Sequence, residues 1–96
     1  MQYQSSGNKI YQFRKMLGLN KAQFGQIFNV SYMSVKNWED GTHDYPARVL
    51  RKIRRDFHVN MDFFLRVKYC TLYTSIDNFN KDNKYVNKIL RKGKQP

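Results

Sequence analysis

The stretch Lys21 to Trp38, KAQFGQIFNVSYMSVKNW, decides how the rest of the chain is read. Two short helical patterns lie on either side of Asn29. Phe24, Ile27 and Phe28 give the first an apolar face, and Val35 and Trp38, three apart, give the second its own. Asn20, with Gln23 three residues on, makes a capping box at the entry to the first helix. Ser31 caps the second helix, and Asp40-Gly41 ends it with a C-terminal glycine. Asn29 tolerates the left-handed conformation that a tight turn needs. Two steeply crossing helices also need a small residue where their backbones approach, and Gly25 supplies it. Phe24, Phe28, Val30, Val35 and Trp38 serve as apolar anchors. These features in this order predict a helix-turn-helix.

Outward from that motif, Ile10, Phe13, Arg14 and Leu17 form one stripe of a helix that starts near Asn8 and stops at Gly18. Arg14 lies inside the stripe, so it is expected to be buried and to need a carboxylate partner. After a loop from Thr42 to Tyr45, Pro46 fits the first turn of a fourth helix running to about Phe57, with Val49, Leu50, Ile53 and Phe57 inside. Asn60 caps a fifth, containing Met61, Phe63, Phe64 and Leu65. Beyond it two readings stay open. Leu65, Tyr69, Leu72, Ile76 and Phe79 have helical spacing, whereas alternating Val67, Tyr69, Thr71 and Tyr73 suit a short β element near 67–74. Asp77 to Asn83, rich in Asn and Asp, reads as a loop. Tyr85, Val86, Ile89 and Leu90 make a last amphipathic helix ended by Gly93. The expected fold is all-α, with a five-helix domain over 8–66 and a basic extension over 67–96.

Ninety-six residues make a single small domain, and 41% hydrophobic residues suffice for its core. The net charge of +11 points to a polyanion, either nucleic acid or, less often, an anionic membrane surface. Cys70, the single cysteine, cannot form an internal disulfide and is simplest as a small buried hydrophobe. No apolar run approaches 18 residues, and Met1 to Gly7 lacks a signal-peptide pattern, so a cytoplasmic protein without a membrane partner is expected. His43, His58 and Cys70 have no zinc-ligand spacing. There is no Gly-rich phosphate loop, nucleophile elbow or close pair of inward carboxylates. The expectation is no metal, no cofactor and no enzymatic activity.

Several motifs within 8–65 match a known pattern: Leu17-Gly-Leu-Asn20, Phe24-Gly25, Val30-Ser31, Val35, Trp38-Glu-Asp-Gly41, Pro46 and Val59-Asn-Met-Asp-Phe-Phe-Leu65. In these the chain resembles the phage-repressor-like DNA-binding domains of lambda-repressor, Cro and Xre type. The resemblance implies five short helices, the third, at about 32–40, lying in the DNA major groove with its N-terminal half at the bases. It also implies an ion pair between Arg14 and Glu39, the only Glu in the chain, which is the partner that the apolar stripe asks for. Family members commonly carry Ala where Gly25 stands and Gly where Asn29 stands. A Gln often touches phosphate where this chain has Lys21. The loop after the third helix is often basic, but here it reads Thr42-His43-Asp44-Tyr45, and Asp44 argues against backbone contacts from it.

With Val35 and Trp38 inward, Tyr32, Met33, Lys36 and Asn37 face out as the expected base readers. Asn37 suits adenine, Lys36 guanine or a phosphate, and Met33 or Tyr32 a thymine methyl, which together describe a partly A·T half-site. Lys21, Ser31, Ser34, Arg48, Arg51 and Lys52 are the expected phosphate contacts, Arg48 with help from a helix N-terminus. Adjacent Phe63 and Phe64 cannot both face one core stripe of a helix. One of them, with Met61, is therefore expected either at a homodimer interface, as family members often dimerise there, or beneath the extension. A dimer would address half-sites about 34 Å apart.

The expected function is sequence-specific binding of double-stranded DNA, as a bacterial, plasmid or phage repressor on an inverted-repeat operator. The alternatives are an antitoxin that meets a protein partner through 67–96, an accessory protein in plasmid or transposon replication or conjugation, and a nonspecific basic nucleic-acid binder. The charge divides unevenly. Residues 20–41 are formally neutral, 48–55 carry five cations and no anion, and 81–94 carry Lys81, Lys84, Lys88, Arg91, Lys92 and Lys94 against Asp82 alone. DNA is thus expected to be gripped by the flanks and read by a neutral helix.

Overall fold

In the computed structural model, which describes residues 6–65 and 71–93, five α-helices follow one another: α1 (Ser6–Met16), α2 (Lys21–Phe28), α3 (Tyr32–Asp40), α4 (Ala47–Asp56) and α5 (Ile76–Gly93). A 3₁₀ turn, Met61–Leu65, lies between the last two. The described residues contain no strand, and the fold is all-α.

The first three helices end the same way. After α1, the N–H of Gly18 bonds to Lys15 O and that of Leu19 to Arg14 O. After α2, Asn29 bonds to Gln26 O and Val30 to Gly25 O. After α3, Gly41 bonds to Trp38 O and Thr42 to Asn37 O. Each is a Schellman closure with its pivot in the left-handed region, where Asn29 sits at φ 57° without being glycine. Short helices and tight reversals follow, and α2 and α3 are set against each other and α1 against α3.

Phe13 joins the layers. Fully buried, it meets Phe24 of α2, Phe57 after α4 and Phe64 of the 3₁₀ turn edge-on, with ring centroids 5.8, 5.2 and 5.8 Å away. Such edge-to-face pairs add about 0.5–1.5 kcal/mol each beyond the area they bury. Phe57 passes the contact on to Tyr85 of α5 at 5.3 Å.

Several sequence expectations need correction. Asp77–Asn83 is helical, because α5 begins at Ile76 and Ser75 caps it, its hydroxyl accepting the Asn78 N–H at 3.2 Å. Asn and Asp cost a few tenths of a kcal/mol each in a helix, whereas burying Val86 and Leu90 returns about 1.5–3 each. The described part of the extension joins the same core. Leu72, Val86 and Leu90 share one buried cluster with Ile10, Phe24 and Phe57, and α5 packs on α2. Pro46 precedes α4 as its extended N-cap instead of occupying the first turn. Residues 71–75 are irregular, so the β alternation is not realised there, while Val67, Tyr69 and Cys70 lie outside the described residues.

Phe63 and Phe64 are both buried, 5% and 6% exposed. The tighter winding of a 3₁₀ turn, with neighbours on two sides, makes this possible. Phe64 faces Phe13, and Phe63 lies under the Lys9 ammonium at 4.2 Å from its ring centre. Neither ring offers a surface for a second subunit, and Met61 packs half-buried against the same core.

Candidate nucleic-acid interface

Two local devices fix the angle of α3. At Gly25 an added Cβ would stand 2.6 Å from the Val30 carbonyl oxygen. The close approach is therefore to the turn, not to the body of α3 as the sequence suggests. An alanine at this position would require the turn to shift.

The second device is Arg14. Its Nε donates to Glu39 Oε2 at 2.7 Å, its Nη2 to Oε1 at 3.0 Å, and its Nη1 to the Leu19 carbonyl at 2.9 Å. Both side chains are buried, at 7% and 6% exposure. A bidentate pair, with a third bond from the same guanidinium to the main chain, leaves little rotational freedom between α1 and α3.

On the outward side of α3, Tyr32 and Met33 are 51% and 55% exposed. Lys36 and Asn37 are half-exposed beside them. The Lys36 ammonium donates to Asp40 Oδ2 at 2.9 Å, and the main-chain carbonyl of Asn37 accepts the N–H groups of Thr42 and His43. The four expected base readers thus share one face, with an acid among them that the sequence reading overlooked. Its signal was plain i,i+4 spacing. At the entry to α3, the Ser31 hydroxyl accepts the Ser34 N–H at 3.2 Å and lies 3.3 Å from the Ser34 hydroxyl. Lys21 stands half-exposed in the first turn of α2, after the capping box between Asn20 and Gln23.

The expected phosphate contacts on α4 divide. Arg48 is exposed and reaches back to the Phe28 carbonyl at 3.4 Å, which puts it beside the turn of the motif. Arg51 is exposed and, with Arg54 and Arg55, lines a shallow depression. Lys52 instead faces α5, donating to Asp56 at 2.7 Å and to the Tyr85 hydroxyl at 3.4 Å. Asp56 also accepts from Arg55 at 2.8 and 3.1 Å and from Tyr85 at 3.1 Å. The Arg55 hydrogen bonds, then those of Lys52 and Tyr85, hold its carboxyl well below the usual range despite partial burial. Two of the five cations counted on this segment are therefore paired with Asp56, Lys52 partly buried and Arg55 still exposed.

A second acidic hub lies in α5. Asp82 is fully buried; it accepts the main-chain N–H of His58, contacts the His58 ring at 2.8 Å, and accepts the Tyr73 hydroxyl at 2.8 Å. Burial, then the Asp82 carboxylate, pushes the Tyr73 hydroxyl above its ordinary range.

No family model, curated protein or solved structure matches the chain. None of the described helices is long and apolar enough to cross a membrane.

Proposed function

We propose that this chain is a DNA-binding module of phage-repressor-like type, not an enzyme, and that α3 reads base edges in the major groove of a duplex. One observation carries this reading. Exposed Tyr32 and Met33 stand beside Lys36 and Asn37 on the outer face of the second helix of a helix-turn-helix. Its angle is fixed by the Gly25–Val30 approach and the Arg14–Glu39 pair. Apolar tips suit a thymine methyl, and an amide suits adenine. The neutral helix reads and the surrounding cations hold, as in a cytoplasmic repressor acting as two copies on an inverted repeat. Selection from a random duplex pool near physiological salt tests this. An enriched inverted repeat supports the dimeric regulator, and a pool without sequence preference sinks specific readout. On an enriched site, Asn37→Ala should cost about 1–3 kcal/mol at one base position and leave the others unchanged.

A further inference from the structure

The outward face of α5 carries Lys81, Lys84, Lys88 and Arg91, all exposed, at intervals of three, four and three residues. That spacing aligns them in one ridge. From first to last, at 1.5 Å of rise per residue, the ridge is about 15 Å long. Phosphates lie about twice as far apart along a strand as the ~3.4 Å of axial rise that separates them, so a ridge of this length spans about three, and its long side chains reach to either side.

The fold also keeps the ridge cationic. Asp82, the acid within this stretch, is turned to the opposite side, where His58 and Tyr73 engage it out of reach of solvent. Asp77 lies a turn before Lys81, and among the described residues none of the four cations has a carboxylate oxygen within 4.0 Å. On α4, by contrast, Asp56 engages both Lys52 and Arg55. Counting by sequence segment gives the two helices similar charge, but their free surfaces differ.

We infer that the outward face of α5 is the main phosphate-backbone surface of the chain, gripping one DNA strand through Lys81, Lys84, Lys88 and Arg91 whatever the base sequence. This rests on the duplex-binding reading above and supplies its affinity as α3 supplies its choice of site. Because α5 is docked on α2, the grip has a fixed position relative to the motif.

The test uses the full chain with Lys81→Gln, Lys84→Gln, Lys88→Gln and Arg91→Gln combined. Glutamine is a good helix former and the sites are exposed, so circular dichroism should show an unchanged fold. Binding to a random-sequence duplex is measured from 50 to 200 mM salt, beside an Arg51→Gln/Arg54→Gln variant. Losing four contacts should lower the slope of log affinity against log salt by about 3.6. The ratio of affinities for selected and random duplexes should not change. An unmoved slope overturns the assignment, as does a slope that falls only in the α4 variant. Capture by anionic phospholipid vesicles with the duplex slope unmoved overturns it too. The two readings separate cleanly. Salt-dependent binding without sequence preference, abolished by the α5 variant, keeps the ridge and discards the α3 readout. Sequence preference with an unmoved slope does the reverse, and absence of any duplex binding discards both.

Discussion

Asp82 and His58 are joined three times over. Both carboxylate oxygens accept the His58 main-chain N–H, at 3.1 and 3.0 Å, and one of them also lies 2.8 Å from the ring Nδ1. A single buried side chain thereby fastens α5 to the chain just beyond α4.

Asp82→Ala should therefore destabilise the fold by about 2–4 kcal/mol, since each buried donor left unsatisfied costs about 1–3 kcal/mol. Thermal melting would show a loss of at least about 8 °C, as 1 kcal/mol moves a domain of this size by about 4–8 °C. The same variant should let Tyr73 titrate at lower pH, because the second cause of its shift is gone. An unchanged melting temperature with an unchanged tyrosine titration would remove the hub.

Arg14→Met alone should cost about 3–5 kcal/mol, because it leaves Glu39 buried and unpaired. The double change Arg14→Met/Glu39→Leu should recover most of that loss, since an apolar pair avoids the desolvation of two charges. Chemical denaturation of the two single variants and the double variant closes the cycle. Additive losses would contradict the coupling.

At the turn, one substitution should be costly and the other nearly neutral. Gly25→Ala forces a Cβ toward the Val30 carbonyl and should cost about 1–3 kcal/mol, as overpacking does. Asn29→Gly keeps the positive φ at no steric cost and should stay within about 1 kcal/mol of the parent. Urea midpoints would decide, and a harmless alanine at 25 would mean the turn yields easily.

Asp56 gives a pH dependence with a defined sign. Its carboxyl is held below its ordinary value of 3.8, so its contribution is complete above that value and fades as pH falls through the lower folded one. The melting temperature of Asp56→Asn should lie below the parent's at pH 7, and the gap should narrow below about pH 4. A gap independent of pH would mean that the carboxylate contributes through shape alone.

The parts legible in the sequence were those where local chemistry and burial agree. Arg14 in an apolar stripe asks for a carboxylate, and the resemblance to repressor-like domains points to Glu39, which it meets at 2.7 Å. The capping box and the left-handed Asn29 are equally local, and both are present. Asp82 carries the same kind of signal, because Phe79, Asp82, Val86 and Leu90 are spaced as a helical face. The surrounding asparagines and aspartates mask it, and only packing on α2 overrides their weak preference for turns. The joint burial of Phe63 and Phe64 was illegible for another reason. It depends on a 3₁₀ turn whose partners, Phe13 and Lys9, are distant in sequence. On the candidate interface, the outward set on α3 follows from periodicity, and the pairing of Lys52 and Arg55 with Asp56 is equally local, but the turning of Lys52 toward α5 depends on where Tyr85 arrives.

The docking of α5 on α2 also bears on the order in which the molecule can be assembled. Leu72, Val86 and Leu90 are the last pieces of a cluster begun at Ile10, so the ring of Phe57 keeps a bare edge until Tyr85 reaches it. A nascent chain that stops short of α5 would display that apolar surface to chaperones and proteases.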